Sequence, residues 1–182
     1  LTARYPDGKL KRRWKAKIYS NNARINHGDF LEFWPDDTEY KRGRYQNGKR
    51  VGTWIFNHPN GQVAKEATYV DGLPDGKWIV YWPTGKPIRE ESYSNGKRVG
   101  VWSFFDKKSG IKLQEERYVA NKAEGKWSGW HTPDQLSFQA VYVNGRMEGK
   151  RIRWHPNGQK ASEETFVEGK RDGVAVSWSP NG

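Results

Sequence analysis

The stretch YVDGLPDGKWIVYWPTGKPIREESY, Tyr69 to Tyr93, decides the fold. Two turn signals punctuate it, Asp71-Gly72 and Pro83-Thr84-Gly85. Between them lies Trp78-Ile79-Val80-Tyr81-Trp82, a run of aromatic and β-branched residues that suits a strand. The pattern then begins again as YSNGKRVGVW at residues 93–102. Asp-Gly or Asn-Gly between strand-like runs is a strong hairpin signal. The stretch therefore reads as one unit of two antiparallel strands.

The unit recurs along the chain. Gly28, Gly52, Gly76 and Gly100 are 24 apart; Gly125 follows after 25, then Gly149 and Gly173 after 24 each. With each of these glycines as offset zero, offset 2 holds Phe30, Trp54, Trp78, Trp102 and Trp127. Offset 7 holds Pro35, Pro59, Pro83 and Pro156, and offset 17 holds Tyr45, Tyr69, Tyr93, Tyr118, Tyr142 and Phe166. Offset 20 is Gly48, Gly72, Gly96, Gly145 and Gly169, with Asn121 in the fifth copy, which carries one extra residue. Asn best replaces Gly where the backbone is left-handed, so this slot is predicted to have positive φ. No stretch keeps a helical period. The expected fold is all-β: an elongated, twisted antiparallel single-layer sheet of tandem β-hairpin repeats. Residues 1–182 are read as one array, with a divergent basic first repeat (1–27), six regular repeats (28–173) and the start of another (174–182). About 15 strands at about 4.8 Å spacing would give a sheet on the order of 70 Å long.

A turn centred near offset 21 would set offset 17 opposite offset 2 of the next repeat. That register pairs Tyr45 with Trp54, Tyr69 with Trp78, Tyr93 with Trp102 and Tyr118 with Trp127, a structural ladder of cross-strand aromatics. Later it pairs Tyr142 with Arg151 and Phe166 with Ala175, so the C-terminal end is expected to fray first.

Composition bounds the function. Hydrophobic residues make up 34%, yet aromatics reach 14% with ten Trp, which excludes both a large oily core and a disordered chain. Without Cys there are no disulfides, thiolate nucleophiles or Cys-based metal sites. No targeting segment and no apolar run long enough to span a bilayer is present, which leaves the compartment open. The net charge of +11 is uneven: residues 1–27 carry eight Lys/Arg against one Asp. Electrostatic attraction belongs to the first repeat.

YQNGKRVGTW, YVDGLPDGKW and YSNGKRVGVW resemble the MORN repeat family, and more closely its longer bacterial variant. The resemblance covers residues 28–182; residues 1–27 fit loosely, and Arg151 stands in the Trp slot of the seventh copy. It implies elongated antiparallel sheets used as protein-binding or membrane-associated scaffolds. The bacterial variant is often grouped as a YwqK-type antitoxin, which implies neutralisation of a partner toxin.

Four groups of residues invite chemistry. His58 and His155 occupy offset 6, where Trp34 and Trp82 also stand, and His131 falls there too; a slot shared with Trp reads as packing. Glu66, Glu90, Glu115 and Glu163 recur at offset 14 and read as a structural charge ladder. No catalytic or metal-binding residue is assigned, no cofactor is expected, and the chain is read as a non-enzyme with no small-molecule substrate. Phe33, Tyr81, Phe105, Trp130, Trp154 and Trp178 form a second aromatic row at offset 5, on the face opposite offset 2 by strand alternation. This row is a candidate partner-binding groove; the alternative is that long Lys/Arg stems cover it. Lys9, Lys11, Arg13, Lys15 and Lys17 alternate along one strand and are candidate anion-binding residues for lipid headgroups or a polyanion. The alternative there is protection of an exposed terminal strand. The leading expectation is a scaffold that binds another protein. Binding to an anionic membrane surface or nucleic acid through the basic strand comes second.

Overall fold

The computed structural model describes residues 1–181. They form β-strands and turns with no helix, and every strand pairing is antiparallel. The chain divides into two compact units, Leu1–Pro87 with Tyr93–Gly96, and Ile88–Ser92 with Lys97 onward. In the first unit β1 (Thr2–Arg4), β2 (Leu10–Ile18), β3 (Arg24–Phe33), β4 (Glu39–Gln46), β5 (Lys49–Asn57), β6 (Val63–Val70) and β7 (Leu73–Tyr81) pair in chain order. Then come β8 (Pro87–Ser94), β9 (Lys97–Arg98), β10 (Gly100–Phe105), β11 (Lys112–Val119), β12 (Lys122–Ala123), β13 (Gly125–Thr132), β14 (Gln135–Val143), β15 (Arg146–Met147), β16 (Gly149–Trp154), β17 (Lys160–Val167) and β18 (Lys170–Ser177). In the second unit β10 pairs β8 and β11, and β11, β13, β14, β16, β17 and β18 follow in order. β9, β12 and β15 are two-residue pieces that lead into the strands after them. The architecture is the tandem hairpin array expected from the repeat.

The Asn-Gly signals are two-residue hairpin loops. Asn47 and Gly48 have φ of 48° and 81°, between Gln46 and Lys49, which pair. Positive φ at both loop residues matches the right-handed twist of the flanking strands. Asn121 has φ of 74°, so the one non-glycine at offset 20 does occupy a left-handed slot. The loops tie to one another: the amide of Gly72 donates to Arg50 O at 2.9 Å, and that of Gly96 to Pro74 O at 2.7 Å.

The register departs from expectation. Tyr45 lies opposite Arg50, Tyr69 opposite Pro74 and Tyr118 opposite Ala123, not opposite the Trp of the next repeat. Likewise Tyr142 lies opposite Met147 and Phe166 opposite Arg171, not Arg151 and Ala175. The loop is centred earlier than offset 21, and the ladder then shifts between Ala67 and Tyr69 opposite Pro74 to Trp78. That shift is a bulge holding the offset-zero glycine, which is why Gly52 and Gly76 have φ of 65° and 94°. Two rungs one residue apart then define the faces. On one face run Trp14, Phe30 and Gly43, then Ala67 opposite both Trp54 and Trp78. On the other run Arg13, Leu31, Arg42, Ile55, Glu66 and Ile79.

The first, the ring face, holds the core. The Tyr and Trp rings meet diagonally across the bulge: Tyr45 to Trp54 at 4.8 Å, Tyr69 to Trp78 at 5.2 Å, Tyr118 to Trp127 at 5.5 Å. Within hairpins the row continues, Phe30 to Tyr45 at 5.5 Å and Trp102 to Tyr118 at 5.3 Å. Each indole N–H donates to the offset-16 carbonyl, Trp54 to Arg44 O, Trp78 to Thr68 O, Trp102 to Ser92 O and Trp127 to Arg117 O. A buried N–H left unpaired would cost about 1–3 kcal/mol, so this bond makes Trp fit the slot. Gly43 completes the fit, because a Cβ there would come 2.2 Å from Trp54 Cδ2. Trp54 is 0% exposed, in a sheet with no second layer to cover it. Its cover is cationic: the Arg50 guanidinium sits 4.7 Å from the Trp54 ring and 5.3 Å from Tyr69, and Lys65 sits 3.8 Å from Trp78. Lys and Arg thus roof the ring face with stems and charge, and the contacts they make are cation–π.

Candidate partner-binding surface

The basic strand does not form the ridge that alternation predicts. Its ladder shifts between Trp14 and Ala16. Lys9 Nζ donates to Pro35 O at 2.9 Å, Lys11 lies 5.4 Å from the Tyr5 ring, Lys15 pairs Asp29 at 2.8 Å, and Lys17 donates to Asn47 Oδ1 at 3.0 Å. The Lys15 ammonium holds the Asp29 carboxyl below its usual range. Nor is β2 a terminal strand in need of protection. Thr2, Ala3 and Arg4 of β1 cover Arg13, Arg12 and Leu10 on its outer side. Trp14, on the opposite face as expected, packs against the ring core.

What remains of the basic strand is Arg13, and the fold gives it companions. A shallow groove of about 880 Å³ lies over β2 to β5. Arg13, Lys15, Leu31, Arg42, Arg44 and Val51 line it, together with Trp14, Phe30 and the carboxylates Asp29 and Glu39. The strand rung supplies the order, Arg13 beside Leu31 beside Arg42. Arg42 is tied to Glu39 at 2.5 Å and Lys15 to Asp29, both at the surface. Arg13 and Arg44 hold no salt bridge among the described residues and are exposed. Arg42 and Arg44, both on β4, escape a reading of the basic strand alone. Their signal is that Arg42 replaces the Glu found at offset 14 in four other copies.

The second aromatic row is mostly covered. Four of the strands bulge just before the offset-5 ring, between Glu32 and Phe33, Phe104 and Phe105, Gly129 and Trp130, and Arg153 and Trp154. The rings then sit opposite Glu39, Lys112, Leu136 and Lys160 rather than against one another. Phe33, Tyr81, Phe105, Trp130 and Trp154 are half-buried; only Trp178 is exposed, with Lys160 5.8 Å from its ring.

The histidines and glutamates have structural partners. His58, His131 and His155 Nε2 each bond the offset-5 carbonyl of the next copy, Tyr81 O at 3.0 Å, Trp154 O at 2.8 Å and Trp178 O at 2.9 Å. Tyr5 donates to Phe33 O in the same way. His27 Nδ1 accepts the Asn47 amide at 3.3 Å. Glu163 is gripped by Lys150 and by Lys160, which hold its carboxyl down to about 2. Glu115 is bridged by Lys112 and Arg117. Among the described residues no three His, Asp or Glu stand close enough to hold a metal ion.

In the seventh copy Arg151 takes the Trp slot and ion-pairs with buried Glu164 directly across the strand, and Arg171 bonds the other carboxylate oxygen at 2.5 Å. Arg151, closest by hydrogen bond, holds Glu164 below its ordinary value.

No curated protein matches this chain. The family model of the MORN repeat variant matches at residues 50–71, 74–95 and 147–168. Those segments start at the strand before a bulge and end at the following hairpin loop, in phase with the hairpins described above. By these three matches and the hairpin that each contains, the chain carries repeats of the MORN repeat variant type.

Proposed function

We propose that this chain is a non-catalytic binding module, and that the groove over β2 to β5 takes another protein that presents acidic and apolar side chains together. The observation that carries this reading is the meeting of Arg13 and Arg44, exposed and outside any salt bridge among the described residues, with Leu31 and Val51 in one concavity. A bare phosphate or lipid headgroup would use the cations and leave the aliphatic floor unused. A protein uses both, since interfaces combine an apolar centre with Arg anchors and a polar rim. The four other cations of the basic strand are already engaged within the fold, which weakens the polyanion reading.

Charge reversal tests it. Arg13→Glu with Arg44→Glu abolishes co-purification of the partner, while Lys9→Gln with Lys17→Gln leaves it intact. Binding that survives the arginine reversal but is lost on vesicles lacking anionic lipid would replace this reading with a membrane one.

A further inference from the structure

One place on the ring face breaks the repeat three times over. At offset 13 the copies carry Lys41, Lys65 and Arg89, then Gln114, and then Phe138. Two residues before the offset-zero glycine they carry Arg50, Pro74 and Arg98, and then Ala123 and Met147 in the fifth and sixth turns. At offset 2 they carry Trp54, Trp78, Trp102 and Trp127, and then Arg151. The first two slots supply the cations that roof the rings elsewhere: Lys65 over Trp78, Arg50 over Trp54 and Tyr69, Arg98 over Tyr118 at 4.2 Å. The third supplies the indole that would pack on Ala140.

The result is a recess of about 370 Å³ on β13, β14 and β16. Trp127 and Tyr142 form its stacked floor, 4.4 Å between centroids, with Phe138 and Met147 at its sides. Phe138 lies flat over Gly129, where a Cβ would come 2.3 Å from Phe138 Cε1. Among the described residues no Lys or Arg stands over Trp127, Phe138 or Tyr142. Arg151 is held across the strand by Glu164, so a guanidinium and not an indole stands beside Ala140 at the edge of the recess. Arg153, opposite Phe138, lines the recess, is exposed and has no salt bridge.

We infer that this recess is a second binding site, and that it takes one aromatic side chain of an acidic peptide segment. Its volume stands near the lower limit of ligand clefts, roughly 300–1,000 Å³, which suits one ring and not a large ligand. Three uncovered rings offer edge-to-face and offset stacking. The charges that line it are Arg151 and Arg153, with no carboxylate in the lining, so a flanking Glu or Asp complements it and a flanking Lys does not.

The probe is the peptide acetyl-Glu-Phe-Glu-amide, titrated against the full chain with the indole N–H resonances recorded by NMR. The expected result is a saturable shift of the Trp127 resonance, at least tenfold weaker binding by acetyl-Glu-Ala-Glu-amide and by acetyl-Lys-Phe-Lys-amide, and at least fivefold loss in Arg153→Glu. Met147→Arg restores the cation that other copies carry; it abolishes the shift while the thermal midpoint is kept or raised, which separates a closed recess from a damaged fold. The inference is overturned if none of the peptides moves the Trp127 resonance, if the Lys-Phe-Lys peptide binds as well or better, or if Met147→Arg binds like the parent. Since the Arg13 and Arg44 groove is not used in this experiment, its outcome leaves that reading standing or falling on its own.

Discussion

The ring face of the first unit and that of the last two repeats use the same backbone for different ends. Around Trp54 the slots are filled: Phe30, Tyr45, Phe56 and Tyr69 surround the indole, Gly43 makes room for it, and Arg50 closes it off. Around Ala140 and Glu164 they are filled differently. An ion pair stands where an indole would, and two roofing cations are missing. The comparison separates two jobs. Where the repeat is kept, the face is spent on stability; where it is broken, the face is left for something else.

The contrast is sharpest in the Trp slot itself. Trp54→Ala is expected to cost about 3–5 kcal/mol, the range for a large buried aromatic. Trp127→Ala, at a half-buried ring with one side open, is expected to cost roughly half of that or less. Urea denaturation followed by circular dichroism measures both, and equal losses would erase the distinction between the two regions.

The roof comes next. Arg50→Ala removes a guanidinium that faces three rings, Trp54, Phe56 and Tyr69, and donates to Tyr69 Oη at 3.2 Å. The loss is expected at about 1–2 kcal/mol. Arg50→Lys should recover less than half, because a planar fork stacks where an ammonium does not. If Arg50→Ala is as stable as the parent, the cations are ornaments of the face and not its cover.

A smaller effect concerns pH at the C-terminal repeats. Glu163 is held down to about 2 by Lys150 and Lys160, against a usual carboxylate value of 4.5. Between those values the unfolded chain binds more protons than the folded one, so stability rises with pH there. The contribution is fully present above pH 4.5 and is lost as pH falls towards about 2. In Glu163→Gln the thermal midpoint should vary less across this window than in the parent. High salt should shrink the difference, as expected of an exposed pair. A midpoint profile unchanged by the substitution would remove Glu163 from the account.

Much of this was legible in the residues. The 24-residue phase gives the hairpins, and the Asn-Gly pairs give their loops. The substitution of Asn121 for Gly foretells the left-handed slot. The partnership of Tyr and Trp was legible as contact but not as register. The offset-zero glycine looks like part of the turn, whereas its positive φ serves a bulge, and two extra residues on one strand set the rings diagonal. The path to Gly28 looks too long by sequence count; β2 and β3 absorb it with added rungs, Lys17 opposite Ile25 and Ile18 opposite Arg24, and a longer loop. The basic strand misled because alternation assumes an uninterrupted ladder and says nothing of partners on other strands, such as Pro35 O for Lys9. The roofing cations carried a signal in their columns, Arg50 with Arg98 and Lys41 with Lys65. That signal acquires meaning only once the faces are known.

The central claim is that the cation-roofed rings hold the array together and that this support weakens where the pattern breaks. Native-state hydrogen exchange tests it most directly. The amides of Trp54, Tyr69 and their strand neighbours on β5 and β6 should exchange slowest, and those of β18, Lys170 to Ser177, among the fastest of any strand. Protection of β18 equal to or greater than that of β5 and β6 would contradict the claim.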